Sequence, residues 1–274
     1  MKILFVSDAT NFNKEQLKVA AFFAKQANAE LTTIFLENLV QVNLPFSKYG
    51  HLASFDISDE ENIATKKERS TQNIEAYKKA CAEIGLNVNF IRAIGVPEDE
   101  TILASRFADL LLMPDDLSFA FSYEEEPTNY AEEVLTHAQC AVLVMPKAIP
   151  EINEVFFTGN GSFSSMYAIR QFTYLFPHFR DKKITFLYVT ENEDESTKHK
   201  INIREYLQHH YTNVEFKILM GSPSAAILSH LTKQNNCLVT FGAYGRSKFS
   251  QFFKKSKADS ILKILDLPVF ITHP

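Results

Sequence analysis

The chain has 274 residues, a hydrophobic fraction of 46% and a formal net charge of −5. These values are typical of a globular protein with room for two ordinary domains, and they exclude the disordered and fibrous classes. The mild acidity disfavours a nucleic-acid surface, which needs a dense basic stripe, and no apolar run approaches the roughly 20 residues of a membrane span, so the cytoplasm is the expected location.

Strands and helices are predicted in alternation from the start of the sequence. The first strand is Ile3–Ser7, and it does not suggest a signal peptide because no small-residue cleavage site follows it. Apolar residues on one face predict a helix over Lys14–Asn28, and a second strand is predicted over Leu31–Leu36. The first half contains extra residues that have no counterpart in the second half, and residues 38–59 are part of them. We expect this inserted loop to be a lid or an interaction loop, or to pack on its own domain.

The rest of the first half follows the same alternation. Phe90–Gly95 is a predicted strand, and Pro97 lies near the start of a short helix. Leu110–Met113 is the fourth strand, and Ala141–Met145 is the last. The helix between them has apolar residues at i, i+3, i+4 and i+7, namely Ala131, Val134, Leu135 and Ala138.

The second half of the chain repeats this order. Helices are predicted over Ser164–His178 and after Pro223. The predicted strands are Glu154–Thr158, Ile184–Val189, Phe216–Gly221, Leu238–Phe241 and Val269–Thr272. The apolar spacing of the closing helix of the first half recurs in the second half at Ala258, Ile261, Leu262 and Leu265. The chain is therefore built twice.

Short apolar strands separated by helices favour parallel sheets buried on both faces. Right-handed crossovers then give two tandem doubly wound α/β domains of Rossmann-like type. The polar, proline-containing stretch 147–153 is a natural boundary. The predicted domains are residues 1–149 and 150–274.

One motif in the second half suggests a ligand. Gly242-Ala-Tyr-Gly245 directly follows the strand Leu238–Phe241. Nine further residues separate Gly245 from Lys255-Ser256, which stand at the start of the closing helix. Glycines between a strand and a helix let backbone N–H groups approach a phosphate, and the helix dipole favours its negative charge.

With this loop, the closing Leu267-Pro268-Val269 and the duplicated layout, the chain resembles the universal stress protein (UspA) family, and in particular its tandem members. The resemblance implies the strand order 3-2-1-4-5 in each half and a role in binding and signalling under stress. Nucleotide-binding members carry glycine, two residues, glycine, nine residues, then glycine and Ser or Thr, with an Asp after the first strand. Here Lys255 takes the place of the third glycine and Asn160 that of the Asp.

The resemblance implies an adenine nucleotide, ATP or another, held between the loops after Thr158 and Phe241. Asn160 would hydrogen-bond a ribose hydroxyl, and Lys255 would add a cation near the phosphates. The alternative is that Gly242 and Gly245 only form a turn and that the protein is an interaction scaffold without nucleotide. The expected nucleotide-binding residues are Gly159, Asn160, Val189, Gly221, Gly242, Gly245, Arg246, Lys255 and Ser256.

The first half is expected to carry a degenerate site. Its fourth strand runs into Pro114-Asp115-Asp116 and then Glu124-Glu125-Glu126, with no glycine pair, and these carboxylates would repel a polyphosphate. Asp8 stands where the family has its Asp, although an Asp after a strand is equally typical of a turn or a helix cap.

No catalytic or metal-binding set is predicted. Ser162–Ser165 favours an N-cap, since no G-x-S-x-G elbow is present, and His137, His178, His209 and His210 lie near helix ends, where capping is expected. Cys81, Cys140 and Cys237 are expected to be buried thiols. We therefore expect a binding protein and not an enzyme, with weak ATP hydrolysis left open. The family resemblance also implies that the closing strands of the two halves meet, and it leaves homodimerisation open.

Overall fold

A computed structural model describes residues 1–38, 58–87, 89–120, 128–190, 197–242 and 267–272. The first half contains β1 (Lys2–Asp8), α1 (Lys14–Gln26), β2 (Glu30–Glu37), α2 (Ser58–Glu83), β3 (Asn89–Ile94), α3 (Pro97–Ser105), β4 (Leu110–Pro114), α4 (Asn129–His137) and β5 (Ala141–Met145). The second half contains β6 (Glu154–Gly159), α5 (Phe163–Leu175), a 3-10 helix (Pro177–Phe179), β7 (Lys183–Thr190), α6 (Thr197–His210), β8 (Asn213–Met220), α7 (Pro223–Leu231), β9 (Cys237–Gly242) and β10 (Val269–Thr272).

All ten strands form one sheet, in the order β3-β2-β1-β4-β5-β10-β9-β6-β7-β8. Each half therefore has the expected order 3-2-1-4-5, and the predicted α/β fold is confirmed. Strand pairs within each half are parallel, whereas β5 and β10 pair antiparallel, with Leu143 opposite Phe270.

Two apolar layers cover the two faces of the sheet. One contains Phe5, Phe23, Phe172 and Phe186, with α1 and α5 packed over the middle of the sheet. The other lies beneath α4 and α7 and contains Leu4, Leu111, Val239 and Ile271. Alternation along each strand sends neighbouring residues to opposite layers. Because both faces are covered, most strands consist almost entirely of apolar residues.

Several predicted boundaries were wrong by one to three residues, and three of them have a structural reason. The helix predicted over Ser164–His178 ends at Leu175, because Pro177 has no amide hydrogen and disfavours helical backbone at the residue before it. The first helix ends at Gln26 and not at Asn28, where φ is 50° in the left-handed region. Residues 58 and 59 begin α2 and are not part of the loop predicted over 38–59.

Other predictions fall partly or wholly outside the described residues. These are the rest of that inserted loop, residues 39–57, and the closing helix of the second half with Ala258, Ile261, Leu262 and Leu265. Among the described residues, no helix is long and apolar enough to cross a membrane.

Candidate functional site

In the second half the order in which the chain adds strands to the sheet reverses between β6 and β9, which run parallel. β6 pairs with β7 on one side and with β9 on the other, so the connections that leave β6 and β9 diverge at their carboxyl ends. Ligands of doubly wound sheets bind in the crevice at such a switch point. Gly159 ends β6 and Gly242 ends β9, so the strand ends bring together two of the residues that the sequence singled out.

A capped turn connects β6 to α5. The side-chain oxygen of Asn160 accepts a hydrogen bond from the backbone N–H of Ser162 at 3.1 Å, and Gly161 has a φ of 82°. Ser162 is the N-cap of α5, and its hydroxyl oxygen accepts a hydrogen bond from the N–H of Ser165 at 3.4 Å. The predicted cap is therefore confirmed, and Asn160 shapes the turn while its side chain stays exposed.

The two strand-end glycines allow α5 to approach the sheet closely. A Cβ on Gly159 would lie 2.4 Å from the Cβ of Ser165. A Cβ on Gly242 would lie 2.2 Å from the carbonyl oxygen of Ser164 and 2.7 Å from the Cα of Ser165. The space left by each missing side chain is thus filled by the first turn of α5, which is the packing role that glycine plays in close helix–strand contacts.

The adjoining strand ends complete this edge. The N–H of Gly221 donates a hydrogen bond to the carbonyl of Thr190 at 3.2 Å, and its φ of 119° turns the chain after β8 toward β7. Val189 is 7% exposed and belongs to the apolar layer under α7. Gly221 therefore lies at the predicted edge, whereas the side chain of Val189 is part of the core.

Four predicted binding residues lie outside the described residues: Gly245, Arg246, Lys255 and Ser256. Their grouping around a phosphate therefore stays a prediction.

The corresponding edge of the first half has a different character. The carboxylate of Asp8 accepts hydrogen bonds from the N–H and the hydroxyl of Thr10, at 2.7 and 2.9 Å, and so forms the turn that was one of its two expected roles. Burial raises the pKa of Asp8, while Thr10, Arg69 and Lys66 oppose this shift. Pro114 ends β4, the strand that corresponds to β9, so this edge lacks the glycine found at 242.

Sequence reasoning missed a charge cluster at the end of β2, in which the carboxylate is buried and the guanidinium is 42% exposed. Glu37 is 2% exposed, and one of its carboxylate oxygens accepts hydrogen bonds from the Arg92 guanidinium at 2.6 and 2.7 Å and from the Ser70 hydroxyl at 2.8 Å. These three side chains join β2, β3 and α2. The available signal was an acidic residue directly after the apolar run of β2.

Two of the histidines contact backbone carbonyls, and the cysteines form no disulfide. His137 Nδ1 lies 3.1 Å from the carbonyl of Glu133 in its own helix, whereas His178 Nδ1 lies 2.9 Å from the carbonyl of Gln26 at the end of α1. All three cysteines are free thiols, and burial raises the pKa of Cys140 and of Cys237 to about 12. Within the described ranges, no cluster of three or more His, Cys, Asp or Glu could hold a metal ion.

One protein-family model matches most of the second half of the chain. The model of the Universal stress protein family matches residues 167–273, and the resemblance expected from the sequence is thus confirmed there. No curated protein matches the sequence.

Solved structures match the whole fold. A universal stress protein of Archaeoglobus fulgidus superposes with a TM-score of 0.73 at 16% identity, covering 99% of this chain and 98% of its own. A candidate universal stress protein of Pseudomonas aeruginosa covers 100% and 93% with a TM-score of 0.59 at 12% identity. An Arabidopsis thaliana family member with AMP bound covers 52% and 88% at 14% identity, but its TM-score of 0.33 is too low to support an argument about ligands.

Proposed function

We propose that this chain, whose residues 167–273 match the universal stress protein family, is a stress-response binding protein that takes ATP or another adenine nucleotide in its second half. The observation that carries the proposal is the juxtaposition of Gly159, Asn160 and Gly242 at the switch point between β6 and β9. In doubly wound sheets this crevice is the usual place for a nucleotide.

The chemistry of this edge suits a nucleotide. The side chain of Asn160 is exposed and offers both a donor and an acceptor to a ribose hydroxyl. Helix α5 is 13 residues long and begins beside it, so its dipole adds partial positive charge. Arg246 and Lys255 would supply full positive charges to the phosphates, as the family resemblance implies.

A second candidate is an interaction scaffold that binds no nucleotide. The observation in its favour is the packing of Gly242, because the space beside this glycine holds the backbone of Ser164 and Ser165. Glycine at 242 is then explained without a phosphate.

The proposal extends to the whole protein. We expect binding and signalling in the cytoplasm, with no enzymatic role beyond slow ATP turnover, and the two halves acting as an internal pseudo-dimer joined at β5 and β10. The first half would serve as a structural partner.

Calorimetric titration of ATP, ADP and AMP into the full chain tests the nucleotide site. We expect micromolar binding of at least one of them, and its loss in Gly245→Gln, where a side chain would block the backbone from the phosphate. Asn160→Asp restores the residue that the family pattern has there and should tighten binding about fivefold, since a charge-assisted hydrogen bond replaces a neutral one.

The matched control is Asp8→Asn, the reciprocal exchange in the first half. It should leave the nucleotide affinity unchanged within about twofold, because no nucleotide is expected there. Absence of binding by all three nucleotides would contradict the proposal and favour the scaffold. Equal sensitivity to Asp8→Asn and Asn160→Asp would contradict the assignment of the site to the second half.

A further inference from the structure

The outer strand of the second half presents an open edge. Among the strands that the structure describes, β8 is last in the order and pairs with β7 alone, over its full length from Asn213 to Met220. Alternate residues of an edge strand direct their N–H and C=O groups away from the sheet, where they can pair with another strand. Ile218 is 55% exposed and Met220 is 53% exposed, so the edge also leaves apolar surface in water.

A row of alternating charges crosses the sheet and stops at this edge. Glu154 of β6, Lys183 of β7 and Glu215 of β8 follow one another, with Lys183 Nζ 3.2 Å from a Glu154 oxygen and 2.9 Å from a Glu215 oxygen. The side chain of Glu215 remains 54% exposed. A cation on a further strand beside β8 would continue the alternation.

We propose that β8 pairs antiparallel with β8 of a second copy of this chain, in the register that places Phe216 opposite its own symmetry mate. A two-fold axis perpendicular to the sheet keeps each side chain on its own face of the sheet. Residues that face each other across the axis must share a face, so they are separated by an even number of positions. The axis therefore passes beside a residue and not between two residues. For a strand from Asn213 to Met220, the two registers with the greatest overlap are centred on Phe216 and on Lys217.

Charge decides between these two registers. Centring on Lys217 places two lysines directly opposite each other, which is unfavourable. Centring on Phe216 places Glu215 opposite Lys217 twice, once on each side of the axis, and extends the charge row from Glu154 across the interface. Val214 then faces Ile218, so that apolar side chains pair on the other face.

The self-complementary pattern distinguishes β8 from the opposite edge. A lysine on an edge strand usually opposes edge-to-edge pairing, and Glu215 removes this effect because it lies two residues before Lys217. On β3, Arg92 is held by the buried Glu37, and its strand offers no acidic residue to pair with it. Pairing of β8 with β8 of a second copy also gives a closed dimer, whereas a contact between β8 and β3 could add copies without end.

The expected dimer is weak, because a strand-to-strand contact alone buries less surface than a stable interface needs. Sedimentation equilibrium of the full chain over a wide range of concentrations should show a monomer–dimer equilibrium. Lys217→Glu should raise the dissociation constant about tenfold, since it turns two attractive pairs into repulsive ones. Lys79→Glu, which makes the same change of charge at an exposed position of α2, should leave the constant unchanged.

A cysteine pair tests the register. Glu215→Cys and Lys217→Cys chains mixed under oxidising conditions should form a disulfide-linked dimer, because these positions face each other. Neither variant should cross-link alone, since residues of the same number lie on a diagonal, about 7–8 Å apart.

Three results would overturn the proposal. These are a wild-type chain that stays monomeric at the highest concentration, a Lys217→Glu variant that dimerises like the wild type, and cross-linking of either cysteine variant with itself. Circular dichroism of each variant shows whether it is folded. If Lys217→Glu were unfolded, the cysteine mixture would still decide the matter.

Discussion

Gly242 illustrates how one residue can satisfy two different interpretations. A phosphate site and a close helix contact both require the absence of a Cβ, so the sequence alone does not distinguish them. The structure fills this space with the first turn of α5, whose backbone is fixed by the cap at Ser162. The glycine is therefore needed for packing whether or not a nucleotide binds beside it.

Gly242→Ala should destabilise the protein by about 2–3 kcal/mol, because the added methyl group meets backbone atoms of Ser164 and Ser165 that no rotamer change can move. Chemical denaturation measures this change. In the matched control Gly95→Ala, the atoms nearest to the new Cβ belong to the side chain of Glu100, which can rotate away, so the change should stay within about 0.5 kcal/mol. Equal costs at both positions would contradict the packing role of Gly242.

At the scale of elements, the long helix α2 is fixed to the sheet by polar contacts as well as apolar ones. Ser70 bonds Glu37, Asn73 donates to the carbonyl of Ala9 at 3.1 Å, and Tyr77 pairs with Thr33. These residues recur at helical spacing along α2. They hold the helix against β2, and Asn73 also ties it to the end of β1.

Arg92→Met should cost about 1–3 kcal/mol, because it leaves the buried carboxylate of Glu37 without a cation that is itself 42% exposed. The free energy of unfolding measured by urea denaturation tests this value. The control is Lys78→Met, which removes the exposed Lys78–Glu75 pair and should change stability by less than about 1 kcal/mol. A loss below 1 kcal/mol in Arg92→Met would mean that Glu37 does not depend on Arg92.

The sequence predicts elements well where the apolar pattern is continuous. β5 and β10 were predicted at their observed bounds, Ala141–Met145 and Val269–Thr272. The end of α5 was placed too late because the apolar pattern continues through Phe176 and Phe179, while Pro177 interrupts the backbone. The cluster of Glu37 and Arg92 was not predicted, since its partners are 55 positions apart and meet only when β2 pairs with β3.

At the scale of the whole molecule, the two halves share one sheet and both of its apolar layers. Phe23 of α1 lies 6.4 Å from Phe176, centroid to centroid, and Phe176 contacts Phe270 of β10. Repetition along the chain predicted two similar halves, and only the family resemblance suggested that their closing strands meet. The pairing of β5 with β10 depends on strands far apart in the chain, which no local pattern specifies.

We expect the halves to unfold together. Phe23→Ala should destabilise the protein by about 3–5 kcal/mol, because it opens a cavity in the shared apolar layer. Calorimetry should still show a single transition, with its midpoint at a lower temperature. Phe163→Ala makes the same substitution at a side chain that is 71% exposed and should have little effect. Hydrogen exchange in Phe23→Ala that speeds up in β1 and β2 but not in β6 and β7 would contradict a common transition.

The central position of β10 also has a consequence for synthesis. β5 acquires this neighbour only from residues made about 120 positions later, although both lie in the middle of the finished sheet. At ribosomal speeds of about 5–20 residues per second, the apolar strand β5 is left for roughly 6–24 seconds as the border of an incomplete sheet. Nascent chains of this protein are therefore most exposed to wrong pairing in that interval, and a chaperone that shields β5 would protect them.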